Sequence, residues 1–215
     1  MYFMGLLNRR KQFPSRTIEQ LKMSVNILFI DNEVFYLTTD LKEKEGWKHI
    51  TCVPDISSLS QSELLNAHII CVDIQGVGKE LGFPDEGLGL IVAIHSKYPE
   101  KKIIMYSAEA QGQIDAFHPA EGIVDARLRK SANRYQFETQ IERLAQDAFC
   151  LDACALNIQR VLNRELNVNM GIEEIKKAIE RIYSKGKVDT HSICKAFSLS
   201  NVGSVSSIIG LLLSL

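Results

Sequence analysis

The sequence lacks most of the features that place a protein in a special class. Its 25 Lys and Arg residues nearly balance 26 Asp and Glu residues, and the formal net charge of −1 argues against general binding to nucleic acid or to a membrane surface. No P-loop, no G-x-S-x-G and no G-x-G-x-x-G follows a predicted strand, which disfavours a nucleotide-binding enzyme or a hydrolase. The composition, 46% hydrophobic and 24% charged, is that of an ordinary globular protein.

Cysteine and long apolar runs are also scarce. The five cysteines are odd in number and none forms a C-x-x-C pair, so we expect free thiols and a cytoplasmic protein. The apolar tail from Ile208 to Leu215 is interrupted by Gly210 and Ser214 and is too short to cross a membrane. Residues 1–7 do not predict a signal peptide, because the positive charges follow this short apolar run instead of preceding it. We therefore expect no contact with a membrane.

The chain does contain apolar runs that end in polar residues. Residues 69–72 are apolar and mostly β-branched, and they end in Asp73, which predicts a strand buried on both faces. Similar runs end at Asp31, Ser107 and Lys130. Because the carboxyl ends of parallel strands meet at one edge of an open α/β sheet, we expect two carboxylates, a hydroxyl and an ammonium to share one site.

Three segments follow from the remaining patterns. Residues 1–23 form a basic extension, with five Lys and Arg residues against one Glu. Residues 24–149 alternate strand and helix patterns, which predicts an α/β fold with a doubly wound, five-stranded parallel sheet. Residues 150–215 have no strand pattern and contain about four amphipathic stripes, which predicts a small all-helical domain.

The residues at the strand ends carry a family resemblance. Four stretches occur in this order, each at a predicted strand end: ILFIDNE (27–33), VD (72–73), YSA (106–108) and LRK (128–130). Over residues 24–149 this arrangement resembles the receiver domain of two-component response regulators. The resemblance implies a flavodoxin-like sheet of strand order 2-1-3-4-5. It also implies that Asp73 accepts a phosphoryl group from a histidine kinase or a phosphotransfer protein. Such a domain is no enzyme beyond its own phosphotransfer and dephosphorylation.

The resemblance also implies roles for the site residues. Mg²⁺ takes oxygen ligands and neutralises charge on a transferring phosphoryl group. The metal ligands implied by the family are Asp31, Asn32, Asp73 and the backbone carbonyl of Gln75. The residues implied in phosphoryl transfer are Asp73 as the acceptor, Lys130 as a partner of one phosphate oxygen, and Ser107 as a hydrogen-bond donor to another.

Several positions depart from the family pattern. Asn32 stands where a second acidic residue is usual, so we expect weak Mg²⁺ binding. The side chain of Glu33 is expected to point into the start of the following helix. Arg127 stands where an aromatic residue is usual, and the glycine-rich loop 74–86 is longer than in the family. These departures leave open a degenerate receiver that acts as an unphosphorylated protein-interaction scaffold.

The helical tail leaves two kinds of output open. Residues 190–197 and 202–213 have the arrangement of a helix-turn-helix, which is typical of a DNA-binding transcriptional regulator. However, residues 202–215 contain no Lys, Arg, Gln or Asn that could read base edges. The tail has eight Lys and Arg residues against six Asp and Glu residues, a net charge of only +2. We therefore favour a helical interaction module that forms homodimers, and we do not expect DNA as the partner.

Overall fold

The computed structural model describes residues 16–108, 118–185, 188–199 and 205–213, and the chain divides into two compact units. The larger unit is Arg16–Ala148, and the smaller one includes Phe149–Leu215. Residues 1–15 of the predicted basic extension lie outside the described residues. The sequence also predicts a weak helix over 110–117, and this segment lies outside them as well.

The larger unit contains a five-stranded sheet in which all neighbouring strands are parallel. The strand order is β2-β1-β3-β4-β5, so the predicted doubly wound, flavodoxin-like fold is confirmed. The strands are β1 (Asn26–Ile30), β2 (His49–Val53), β3 (Ile69–Asp73), β4 (Lys102–Ser107) and β5 (Ala126–Arg129).

Two elements begin later than the sequence predicts. The run that ends at Lys130 starts at Gly122 and predicts the fifth strand from that residue, but Pro119–Gly122 forms a short 3-10 helix, and pairing with β4 begins only at Ala126. There the Asp125 carboxylate accepts a hydrogen bond from the backbone N–H of Ile103, which fixes the start of the strand. The spacing of Phe35, Leu37 and Leu41 predicts a helix from Val34 to Lys44, but Val34 is 78% exposed and precedes the helix, which begins at Leu37.

In the described ranges of the larger unit, five α-helices accompany the sheet. They are α1 (Ile18–Ser24), α2 (Leu37–Glu43), α3 (Ser62–Asn66), α4 (Glu86–Lys97) and α5 (Arg134–Ala148). A capping box begins α1, in which the Thr17 hydroxyl and the Gln20 side chain each accept a hydrogen bond from the other residue's backbone N–H. Residues 18–23, which belong to the predicted extension, are therefore helical, and α1 packs against α5.

Both faces of the sheet are covered, because successive strand residues point to opposite sides. One face packs against α3 and α4 through Leu28, Ile30, Ile70, Val72, Ile103 and Met105. The opposite face includes Phe29 and Tyr106, whose rings contact each other. The Tyr106 ring also meets Phe137 of α5 edge to face. All five residues of β3 are buried, so this central strand delivers Asp73 to the carboxyl edge of the sheet.

The described part of the smaller unit contains helices and no strand, as predicted; the helices are α6 (Leu151–Glu165), α7 (Ile172–Ser184), α8 (Thr190–Phe197) and α9 (Val205–Leu213). These helices share an apolar core that includes Ile158, Leu162, Ile175, Ile179, Phe197 and Ile208. In the stretches that the structure describes, no helix combines the length and the apolar character that crossing a membrane requires.

Candidate functional site

An ammonium surrounded by carboxylates lies at the carboxyl edge of the sheet. The Nζ atom of Lys130 is 2.8 Å from Asp73 Oδ2 and 3.0 Å from Asp31 Oδ1. It is also 3.1 Å from Glu33 Oε2. Asp31 follows β1, Asp73 ends β3 and Lys130 follows β5, so three separate strands of one parallel sheet supply the cluster.

The two aspartates and the lysine of the cluster are largely withdrawn from water, whereas the Glu33 side chain is 71% exposed. The side chains of Asp31 and Asp73 are 5% and 4% exposed, and that of Lys130 is 17% exposed. Burial raises the pKa of Asp73, and the hydrogen bond from Lys130 offsets part of this rise. Burial alone would lower the pKa of Lys130, but hydrogen bonds to the carboxylates outweigh it, and the pKa is raised. Lys130 therefore stays charged at neutral pH and compensates two buried acids.

Both oxygens of Asp31 accept further hydrogen bonds. Its Oδ1 atom accepts from the backbone N–H of Glu33 at 2.9 Å, and its Oδ2 atom accepts from the Tyr106 hydroxyl at 3.0 Å. The Tyr106 ring stacks on Phe35, with 5.1 Å between the ring centroids, and is 1% exposed. Burial, with Asp31 nearby, raises the pKa of Tyr106, so its hydroxyl remains a donor. These contacts fix the orientation of the Asp31 carboxylate.

The remaining predicted site residues lie next to this cluster. Ser107 is the buried last residue of β4, and its carbonyl accepts from the backbone N–H of Lys130 at 2.6 Å. The backbone N–H of Gln75 donates to Asp73 Oδ1 at 3.3 Å. The side chain of Asn32 lies against Gly76, where an added Cβ would come 2.5 Å from Asn32 Oδ1. All of the predicted positions therefore meet at one edge of the sheet.

The glycine-rich loop after Asp73 is tied down at several points. The Asp55 carboxylate accepts from the backbone N–H groups of Gly78, at 2.6 Å, and Glu80, at 3.1 Å. The Glu86 carboxylate accepts from the backbone N–H of Gly76, which lowers the pKa of Glu86. These carboxylates hold the long loop in one conformation beside the cluster.

Helix α4 approaches the end of β3 so closely that only glycine fits at its second residue. A Cβ added at Gly87 would lie 2.2 Å from the carbonyl oxygen of Asp73 and 2.6 Å from the Cα of Ile74. Both are backbone atoms and have little room to move. This contact sets the position of the backbone that carries Asp73.

The sequence did not predict every member of the site. The expectation for Glu33 was wrong, because its carboxylate turns towards Lys130. Tyr106 was placed in a strand but given no role, and nothing in its spacing indicated the contact with Asp31. Arg127 forms an ion pair with Glu121, so the position that is aromatic in the family is here engaged elsewhere.

The donor atoms at the site are suited to magnesium. No group of three or more His, Cys, Asp or Glu side chains in the described ranges is arranged to hold a metal ion. The magnesium site that the family resemblance implies would use a different donor set, two carboxylates with the Asn32 amide and the Gln75 carbonyl, and all of these are hard oxygen ligands of the kind that Mg²⁺ prefers. The buried pair Asp31 and Asp73 fits a small dication in chemistry and charge, and Asn32 contributes no charge to it.

Comparisons with known proteins give similarities of fold. No family model matches the sequence, and no curated protein matches it. The chain is similar to the solved response regulator receiver domain protein (CheY-like) from Methanospirillum hungatei, at 21% identity and a TM-score of 0.44. This match covers 58% of the present chain and 95% of that one.

Two further structures are similar at comparable identity. The response regulator TrrA from Thermotoga maritima, solved in complex with Mg(2+)-BeF, is 20% identical with a TM-score of 0.44, over 56% of this chain and 98% of that one. RcsB from Salmonella enterica serovar Typhimurium, solved bound to promoter rprA, is 15% identical with a TM-score of 0.45, over 89% of this chain and 99% of that one. These similarities concern the fold. The strand order of residues 16–148 is the one that the resemblance noted in the sequence implies.

Proposed function

We propose that the chain is a response regulator that accepts a phosphoryl group on Asp73 and passes the signal on through changed protein contacts. The observation that carries this proposal is the Lys130 ammonium, which bridges Asp31 and Asp73 at 3.0 and 2.8 Å. A buried carboxylate beside a fixed cation suits a nucleophile that must attack a negatively charged phosphoryl group.

The proposed reaction moves one phosphoryl group. A carboxylate oxygen of Asp73 attacks the phosphorus of a phosphohistidine on a histidine kinase or phosphotransfer protein. The P–N bond breaks, its electron pair stays on the imidazole nitrogen, and an acyl phosphate forms on Asp73. The Oδ2 atom accepts from Lys130 at 2.8 Å, and Oδ1 accepts a longer contact of 3.3 Å from Gln75, so Oδ1 is the less tightly held oxygen among the described contacts.

The neighbouring groups assist this transfer. Lys130 pairs with a phosphoryl oxygen as a point charge, and the Ser107 hydroxyl donates to another. When Ser107 moves towards the phosphate, its loop moves with it, and this local change alters the conformation of other parts of the protein. Asp31, Asn32, Asp73 and the Gln75 carbonyl would hold Mg²⁺, which, when bound, neutralises charge on the transferring group.

The output of this signalling is a protein contact made by the helical unit. Helix α9 begins at Val205, and the segment 202–215 offers no Lys, Arg, Gln or Asn for reading bases. A homodimer formed through these helices is the partner arrangement that we propose, and regulation by reading a DNA sequence is less well supported.

Several contacts at the site favour a second function, in which the chain is an unphosphorylated scaffold for a protein partner. Both oxygens of Asp31 are engaged by donors, and Lys130 is held by three carboxylates at once. With Asn32 removing one charge, these contacts favour a receiver that binds a protein partner without phosphate. Phosphorylation distinguishes the two functions.

The test is incubation with acetyl phosphate and Mg²⁺, followed by intact-mass measurement. The phosphoacceptor function predicts the gain of one phosphoryl group by the wild type and none by Asp73→Asn. The matched control is Asp147→Asn, an exposed acid at the end of α5, which should label like the wild type. Full labelling of Asp73→Asn would exclude this acceptor, and a folded wild type that is never labelled would favour the scaffold.

A further inference from the structure

The smaller unit contains a basic cleft between α7 and α8. Its volume is about 280 Å³, and its polar lining comes from Arg181, Lys185, His191, Ser192 and Lys195. Nothing in the chemistry proposed for Asp73 uses these residues. The cleft is therefore a separate feature of the molecule that needs its own explanation.

The lining side chains converge from two helices. Arg181 and Lys185 are four residues apart at the end of α7, so they lie on the same side of that helix. His191 and Lys195 have the same spacing on α8, with Ser192 beside them. The two helices pack against each other, and these groups therefore face a shared space.

The cleft has positive charge without matching negative charge. Lining residues include no carboxylate, and within the described ranges Arg181, Lys185 and Lys195 form no ion pair. Elsewhere in the same unit, Lys176 is paired with Asp152 and Glu173. Three like charges around one space repel each other, and an anion between them would remove this cost.

The helix dipoles and the nearby acidic residues explain only part of the clustering of basic side chains around the cleft. The helix dipoles favour a cation at the C-terminal end of α7 and of α8, where Arg181 and Lys195 lie, but they do not require three cations to face one cleft. Glu180 directly precedes Arg181 but does not line the cleft. Asp189 caps α8 by accepting from the backbone N–H of Ser192 at 2.7 Å. It does not line the cleft either, so the positive field there is left open to a ligand.

We propose that this cleft binds a phosphate group, carried either by a small phosphorylated molecule or by a nucleic-acid backbone. Arg181 offers a planar pair of donors that matches two phosphate oxygens, and the lysines add point charges. The Ser192 hydroxyl and the His191 ring add hydrogen-bonding groups. At about 280 Å³ the cleft lies just below the usual size of ligand sites, roughly 300 Å³ and above, which suits one or two phosphate groups.

The test uses the full chain at low salt, with pyrophosphate as the small probe in calorimetry and an arbitrary DNA duplex in a fluorescence anisotropy titration. The test variant is Arg181→Gln/Lys195→Gln, which removes one cation from each helix. The matched control is Lys177→Gln, which removes an exposed cation of α7 outside the cleft. Circular dichroism verifies that both variants keep the wild-type helix content.

The proposal predicts that at least one probe binds and that the double variant weakens this binding by about tenfold or more. Lys177→Gln should stay within about twofold of the wild type, and added KCl should weaken binding. Pyrophosphate binding identifies a small phosphorylated ligand, and duplex binding without pyrophosphate binding identifies a nucleic-acid backbone. If neither probe binds, or if the double variant and the control lose affinity equally, the proposal is wrong.

Discussion

Replacing Lys130 by methionine tests whether its ammonium stabilises the fold by compensating the buried carboxylates of the site. Methionine keeps most of the side-chain length and removes the ammonium, so two nearly buried carboxylates lose the cation that compensates them. Removing one partner of a buried ion pair typically costs 3–5 kcal/mol. Because the Lys130 side chain retains 17% exposure, we expect a loss near the lower end, about 3 kcal/mol in the free energy of unfolding at pH 7.

The same variant should have a distinctive pH dependence. Burial already raises the pKa of Asp73, and without the hydrogen bond from Lys130 it rises further. An acid whose pKa is higher in the folded than in the unfolded state, where it is about 3.9, binds its proton more readily when folded. The stability of Lys130→Met therefore falls as pH rises from about 4 through this raised pKa, so its deficit against the wild type is largest at neutral pH.

Urea unfolding followed by circular dichroism between pH 4 and pH 8 measures both effects. The matched control is Lys44→Met, which removes an exposed ion pair with Asp40 and should cost less than about 0.5 kcal/mol. A loss below about 1 kcal/mol in Lys130→Met, or a deficit that does not change with pH, would refute the view that this lysine compensates buried charge.

Three further changes test individual contacts. Tyr106→Phe removes a buried hydroxyl donor to Asp31 and should lower the free energy of unfolding by about 2 kcal/mol; unchanged urea midpoints would contradict the contact. Gly87→Ala puts a methyl group against backbone atoms and should cost about 2 kcal/mol or more, whereas Gly122→Ala, where an added Cβ meets nothing within 4 Å, should be nearly neutral in the same assay. Asn32→Asp adds a charge to the implied metal ligands and should tighten Mg²⁺ binding by about tenfold in calorimetric titration; an unchanged affinity would place this residue outside the metal shell.

The sequence predicted the sheet because strand identity and parallel order depend on patterns that are local and strong. The run that ends in Asp73 is apolar at every position, and this matches a central strand covered on both faces. Once such strands are parallel, their last residues must meet, and for that reason Asp31 and Lys130 come within hydrogen-bond distance of each other.

Side-chain directions beyond the strand ends were not predictable in this way. Glu33 turns towards Lys130 because the chain stays irregular until α2 begins at Leu37, three residues later than the pattern indicated. The Tyr106 ring that brings the hydroxyl to Asp31 is packed against Phe35, Phe29 and Phe137, and these contacts join distant parts of the chain. The basic cleft likewise depends on how α7 packs against α8, which helical periodicity does not determine.

The most direct test of the central claim is to locate the phosphoryl group within the chain. After incubation with acetyl phosphate and Mg²⁺, borohydride reduction converts an aspartyl phosphate to homoserine, and peptide mass spectrometry identifies its position. We expect homoserine at position 73 and at no other aspartate. Conversion at Asp31 or Asp55 in place of Asp73, or no conversion in a fully folded protein, would contradict the claim.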